Sequence, residues 1–403
     1  MKWSYYIFLV FSAWMYHRVV FHSPTITENS RAPASLSSES CIDLMQDFYP
    51  NQSKEFLKKR IAANKNFHSF YRSFVPFFYE AIQENQKINK SFIQLSKYKA
   101  AMGGDVHTEN FGFVITPTGS ARLVLNDIDD VTAGPIYMDV LRHYISGKIV
   151  AEDVHWKNYI NAYMDGLRGD DHVYSDYIKR NRQSATAEAK KFIDEYISSD
   201  LPIKFIKYKT PMYVIDDATK KEILASLKKD NFKIKIYDQY LRIKEDGGSA
   251  GLLRYQVLAQ ISPGEDPVWL DIKELTISSY DKVFRSTVPT SAQRMSLIKG
   301  TIYQEDVSSH LSLIKIAGKD FSVRYMNQFA LGIQLEDVSH LELADVVLDE
   351  AYVLGQMHAR GLQTNSLNIE NYTQDWNNIS AEDIKKAARE IREVLEKKYT
   401  SKI

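Results

Sequence analysis

The 403-residue chain has one cysteine, Cys41. A lone thiol forms no internal disulfide, so the fold does not depend on an oxidising compartment, and a cysteine-based zinc site is excluded. An excess of charge is also missing: 51 Lys and Arg balance 51 Asp and Glu. Neutralising a nucleic-acid backbone needs a basic excess, so no nucleic-acid partner is expected. The basic runs "IKFIKYK" (203–209) and "ILASLKKDNFKIKIY" (223–237) read as solvated faces of helices and strands. No repeat of solenoid period is present. Long apolar runs are scarce. "MKWSYYIFLVFSAWMY" at the N-terminus holds about a dozen apolar or aromatic residues, the length of a signal-peptide core and short for a membrane span. His17 and Arg18 interrupt it, no small-x-small cleavage site follows directly, and "SRAPASLSSES" (30–40) reads as a polar linker. An export signal, a membrane anchor and a stretch with no targeting role all stay open. Membrane contact is expected only through this segment, and residues 1–40 are set apart from the fold.

What is present is the composition of a globular protein, 44% hydrophobic and 25% charged. Residues 53–85 read as helical, with Pro76 marking a break. Phe111 to Ile115 and Leu123 to Leu125 flank a "TPTGS" turn and predict a hairpin. "MDVLRHYISGKIV" (138–150) and most of 151–200 read as helix. From about 210 the chain turns β-rich, with "EDGGSAG" (245–251) and "SPGEDP" (262–267) as turns between strands, a helical stretch near 290–300, and a strand "FSVRYMNQF" (321–329). Residues 342–361 and 380–399 read as helices, the second opened by Ser380 and Asp383 in the manner of a capping box. The expected division is a helical part at 41–210, a β-rich part at 211–330 and closing helices at 331–403, an α+β fold.

"GGDVHTENFGF" (103–113) is too polar for a core strand and too rich in glycine for a helix interior. It reads as a loop that presents Asp105, His107, Glu109 and Asn110. One hairpin later, "NDIDD" places Asp127 and Asp129 two residues apart, which on a strand means a shared face. Singly, such residues commonly cap backbone amides in turns. As a set, three carboxylates and an amide make a hard-oxygen site suited to magnesium rather than zinc.

The spacing G-D-x-H-x-x-N followed by hydrophobic-x-D-x-[DE] resembles the catalytic and metal loops of the aminoglycoside-phosphotransferase group of kinase-like enzymes. The resemblance implies that Asp105 orients or deprotonates an acceptor hydroxyl and that His107 supports the loop. It puts Asn110, Asp127 and Asp129 at magnesium. Asp139, in "AGPIYMDVLR", would brace the catalytic loop by accepting backbone hydrogen bonds. A kinase also needs a phosphate-covering loop and a strand lysine. Gly247, Gly248, Ser249 and Gly251 of "EDGGSAG", and Lys273 of "VWLDIKEL", are the candidates for ATP. Both follow the catalytic loop instead of preceding it. In that order, and in "FHSFYRSF", "GGSAGLLRYQVL", "DIKEL", "AQR", "VRYMNQF" and "LGQMHARG", the chain is similar to the bacterial domain-of-unknown-function 2252 family over roughly residues 50–365. That resemblance implies a two-lobed protein-kinase-like fold in circular permutation, which is tolerable where the old ends lie close together. Two positions depart from the kinase pattern. Asp246 opens the Gly turn, and residues 284–300 hold no glutamate to pair with the lysine, leaving Gln293 as the nearest polar side chain.

The leading expectation is an ATP- and magnesium-dependent phosphotransferase acting on a hydroxyl of an unknown small molecule or protein. A nucleotide-binding regulatory module, a nucleotidyl transferase and a metallophosphoesterase are the alternatives. For the last, the ten histidines are too scattered, and His310 and His340 read as structural.

Overall fold

The structure is a computed structural model that describes residues 38–401 apart from 199, 208–211, 230–233, 245–246, 304–310 and 330. The N-terminal apolar segment, Asp246 and His310 lie outside the described residues. Among the described residues no helix is long and apolar enough to cross a membrane.

The helical region expected at 53–85 is three helices: α2 (Lys54–Ala62), α3 (Phe67–Ser73) and α4 (Val75–Glu84), preceded by α1 (Ser38–Phe48) and followed by α5 (Gln86–Ser91). Pro76 occupies the first turn of α4, where its missing N–H has no helical acceptor to lose, so it starts a helix rather than kinking one. Asn66 and Ser69 close a reciprocal cap on α3. The aromatic run is core: Phe70, Phe77, Phe78 and Tyr79 are all buried, and the Phe70 and Phe77 rings stack at 5.9 Å. Each such burial stabilises by about 1.5–3 kcal/mol.

Next come β1 (Lys99–Met102), then the hairpin β2 (Phe111–Ile115) and β3 (Ala121–Leu125), and β4 (Thr132–Pro135), which pairs antiparallel with β1. Asp127 and Asp129 lie in the connection from β3 to β4 and not on a strand, so the shared face expected from alternation is not what places them. Helix α6 (Tyr137–Val150) follows and is buried along most of its length. Helices α7 (Trp156–Arg168) and α8 (Asp176–Tyr196) complete the first helical segment.

The β-rich part is one antiparallel sheet in the order β5-β6-β7-β8-β10-β9. Its strands are β5 (Met212–Tyr213), β6 (Lys235–Arg242), β7 (Arg254–Gln260), β8 (Val268–Glu274), β9 (Leu311–Ile316) and β10 (Lys319–Tyr325), with α9 (Asp217–Lys229) after β5. Period-two alternation sorts its faces. Tyr255, Val257, Leu270, Ile272, Phe321 and Val323 pack with Ile223 and Leu227 of α9 in one core. The other face carries a row set by register, Arg242↔Arg254↔Lys273↔Ser322, and beside it Gln256↔Asp271↔Arg324. Helices α10 (Ser279–Phe284) and α11 (Ser291–Leu297) lie between β8 and β9. The strand expected to run through 321–329 ends at Tyr325. Met326–Phe329 form a helical turn, α12, in which the Asn327 side chain accepts from the Trp269 backbone N–H at 3.1 Å.

The chain then returns. Strand β11 (Leu331–Gly332) joins the β2–β3 hairpin, and α13 (Leu343–Thr364), α14 (Ile369–Asn377) and α15 (Ala381–Thr400) rejoin the helical core. His340, expected to be structural, is exposed ahead of α13. Ser380 caps α15, but Asp383 accepts from the Ser380 hydroxyl at 2.7 Å instead of returning to its backbone. Helices α7 and α13 cross main chain to main chain. A Cβ on Gly166 would collide with the Tyr352 carbonyl, and one on Gly355 with that of Tyr163.

Candidate functional site

The Asp105 loop is shaped from beneath. Both carboxylate oxygens of Asp139 accept from its backbone, Gly103 N–H at 2.7 Å and Gly104 N–H at 3.1 Å. His358 of α13 lies 3.2 Å from the same carboxylate, and its other ring nitrogen meets the Tyr163 hydroxyl at 2.8 Å. Gly104 has φ +77° and sits on the Asp130 backbone, so a side chain there would be both strained and blocked. Asn110 ties this loop to the next: its side chain donates to the Asp105 carbonyl at 2.6 Å and accepts from the Asp127 N–H at 3.1 Å.

Arg142, one helical turn after Asp139, donates to Asp105 Oδ1 at 2.6 Å and stacks over Tyr71. Burial raises the Asp105 carboxyl to about 6, with Arg142 pulling the other way. His107 Nε2 is 3.8 Å from Asp105 Oδ2, while burial holds this imidazole well below its usual range, so it is neutral. Glu109 pairs with Arg72.

The "NDIDD" segment is held from the opposite side. Arg294, buried, donates to the carbonyls of Asp129, Val131 and Thr276. Arg324 and the Tyr303 hydroxyl both reach the Asn126 carbonyl, at 2.8 and 3.1 Å. Asp130 also lines the cleft and accepts from the Ser279 N–H and hydroxyl. Asp127 and Asp129 are thereby aimed at Lys273 of β8, which pairs with Asp129 and lies 3.5 Å from Asp127. Lys273 is 2% exposed. Burial pulls its ammonium below the usual range, while Asp127 pushes it the other way. Burial would raise Asp127, but Lys273, Arg324, Arg254 and Lys244 outweigh it and hold the carboxyl low.

Above this floor lies the Gly turn between β6 and β7. Arg60 of α2 donates to the carbonyls of Gly247 and Gly248 at 3.1 and 3.2 Å, and Gln52 donates to that of Ala250 at 2.7 Å. A Cβ on Gly248 would lie 3.8 Å from Asp105 Oδ2, so the turn covers the loop closely. Gly247, Gly248, Ser249, Gly251, Asp105, His107, Asn110, Asp127 and Asp129 all line one cleft of about 750 Å³.

Gln293 does not join them. It is exposed and closes the cap of its own helix with Thr290, 2.8 Å from the Thr290 N–H. Lys273 takes its counter-charge from the two aspartates. The expected three-carboxylate group does not form either: Asp105 is committed to Arg142, and among the described residues no three His, Cys, Asp or Glu side chains gather as metal ligands. The chemistry of Asp127, Asp129 and the Asn110 amide still fits magnesium, which takes one or two carboxylates and completes its shell with phosphate and water. Sequence reasoning did not reach Arg60, Arg142, Arg294 or Arg324. Arg142 carried a local signal, three residues from Asp139 on the same helix face, and Arg294 and Arg324 stand in the runs "AQR" and "VRYMNQF", where nothing local assigned them a role.

The chain belongs to the family described as "uncharacterized protein conserved in bacteria (DUF2252)", whose model matches residues 56–201 and 215–401. No curated protein and no solved structure matches it.

Proposed function

We propose that this protein is a kinase-like phosphotransferase that uses ATP and magnesium to phosphorylate a hydroxyl, on a two-lobed, circularly permuted version of the kinase fold. One observation carries the reading. Lys273, on the second strand after the Gly turn, meets Asp127 and Asp129 from the segment that follows the Asp105 loop and its hairpin, with Lys273 and Asp127 146 positions apart. The order of α13 after the sheet, with His358 reaching back to Asp139, supports the permutation.

In this reading Lys273 and the Gly turn hold the donor's phosphates. Arg142 fixes one oxygen of Asp105, and the other orients the acceptor hydroxyl and takes its proton as the new P–O bond forms and the bond to the leaving diphosphate breaks. Magnesium, held by Asp127 and Asn110 with Asp129 beside them, would neutralise phosphate charge. His107, neutral and buried, supports the loop by packing, since its Nδ1 has no partner among the described residues and its Nε2 lies 3.8 Å from Asp105. The runner-up, a module that binds nucleotide without transfer, draws on Gln293 capping its own helix instead of serving Lys273.

ATP with magnesium is expected to raise thermal stability, by about 2.7 kcal/mol at a hundredfold excess over Kd. Asp127→Ala is expected to remove that shift. No shift with any nucleotide sinks both readings. With γ-labelled ATP and fractionated extract, Asp105→Asn is expected to cut transfer about 10²–10⁴-fold while binding survives. Since the base must be ionised, transfer is expected to fall on the acid side of about pH 6. Tight binding with no label in any fraction favours the module.

A further inference from the structure

The row Arg242↔Arg254↔Lys273 places three cations directly opposite one another on three adjacent strands. Like charges opposed across a ladder destabilise a sheet unless counter-charge is near. Two of the three are paired with it directly, while Arg242 feels the Asp271 charge with no ion pair to it among the described residues. Arg254 is bidentate with Asp271 at 2.6 and 2.7 Å, and Lys273 faces Asp127 and Asp129. Asp271 is also shared with Arg324 at 3.1 Å and with Gln256 at 2.6 Å, which leaves no lone carboxylate for Arg242 in this row. Arg242 Nε is buried with no partner among the described residues. Arg242 and Arg254 are also the last residue of β6 and the first of β7, so they stand at the two feet of the Gly turn, and both line the cleft.

One residue pair deeper, the same sheet face is closed. Gln256 and Trp269 are buried, with the Trp269 indole N–H donating to Gln256 Oε1 at 2.6 Å. Phe192 of α8 stacks on Trp269 at 5.7 Å, and Tyr196, Phe205 and Tyr240 fill the space around it. A ligand on this face meets the cationic row and is then stopped by the protein's own aromatic side chains.

Building on the phosphotransferase reading, we propose that the donor is recognised by its phosphate chain and not by its base, with Arg242 and Arg254 extending the Lys273 site into a binding row for a linear polyphosphate. ATP, GTP and inorganic tripolyphosphate then occupy the same place, the row contacting phosphate oxygens through guanidinium and ammonium N–H groups.

The test is calorimetric titration of the full chain in magnesium chloride with ATP, GTP, sodium tripolyphosphate and adenosine. The expected result is that the three phosphates bind within about tenfold of one another, adenosine does not compete, and Arg242→Gln weakens all three alike by about tenfold. Circular dichroism melting checks that the variant is folded; Arg242→Lys, which keeps the charge, is expected to recover part of the affinity. If ATP binds and tripolyphosphate does not, or if adenosine displaces ATP, the inference is overturned while the phosphotransferase reading stands. If Arg242→Gln, folded, leaves all three affinities unchanged, the row is not the site. If none of the phosphates binds, both fall together.

Discussion

The two walls of the cleft are fixed in different ways. The floor, made of the Asp105 loop and the "NDIDD" segment, is pinned by buried charged groups: Asp139 on two amides, Arg294 on three carbonyls, Arg324 on a fourth. The roof, the Gly turn, is held from the N-terminal helices, with Arg60 taking two of its carbonyls and Gln52 a third. Arg60 is as buried as the floor's supports and also holds the Ser73 carbonyl at 2.8 Å, but the Gly-turn carbonyls it would release line an open cleft and can turn to water, whereas the groups stranded in the floor cannot. The floor is therefore the part that should fail with the fold, and the roof the part that can move while the fold stands.

The largest effect is expected from Asp139→Ala. It leaves Gly103 N–H, Gly104 N–H and His358 buried without their acceptor and should cost about 3–5 kcal/mol in chemical denaturation. A loss under about 1 kcal/mol would show that the floor is not held from below. Arg60→Met comes next. Amide exchange across the Gly turn should quicken about tenfold, the equivalent of about 1.4 kcal/mol, while the 103–110 loop keeps its protection. Equal acceleration in both would erase the distinction between the walls.

The smallest effect concerns a second buried acid and histidine in the helices under the floor. Glu350 lies 3.0 Å from His143 Nε2, and His143 Nδ1 lies 2.9 Å from the Tyr159 hydroxyl, which itself donates to the Val140 carbonyl. Nδ1 is then the donor and Nε2 the acceptor, so Glu350 supplies the proton. Burial accordingly raises Glu350 well above its usual range and lowers His143 to about 3. Unlike Asp139, which accepts two N–H groups, this acid has no backbone donor among the described residues to favour its charge. Glu350→Gln should change stability by no more than about 1 kcal/mol at acid pH. A carboxyl with a raised folded pKa gives its full contribution below the unfolded value and loses it as pH rises through the folded value. The glutamine variant should therefore gain on the wild type above about pH 4.5, as seen in denaturation midpoints across pH. A glutamine variant that instead loses ground as pH rises would mean that Glu350 is ionised.

Much of this was legible because the signals were local. Gly, Asp and Asn at fixed offsets mark the floor loop, apolar runs about a turn mark its hairpin, and alternation marks Lys273 as a strand residue. The supports were not legible, because they act across the chain. Arg294 differs in sequence from its neighbour Gln293 by nothing that reveals one as buried 163 residues from its Val131 partner and the other as an exposed cap. The end of β10 at Tyr325 was missed for the same reason: the residues after it suit a strand, but a side-chain bond from Asn327 to the neighbouring strand turns them into helix. His340 carried no signal separating it from a core histidine.

The main-chain crossing of α7 and α13 bears on how the molecule is made. Synthesis runs from the N-terminus, so the loop, its aspartates and α6 are in place long before Gly355 and His358 are polymerised; 219 residues separate Asp139 from His358. Through all of that time α7 has no Gly355 to close against and Asp139 has no imidazole beside it. A product that stops before α13 keeps every residue of the opening motif and lacks the surface that shapes it. Detecting the motif in a truncated reading frame is thus not the same as detecting a working site: the last quarter of the polypeptide completes a loop laid down in the first third.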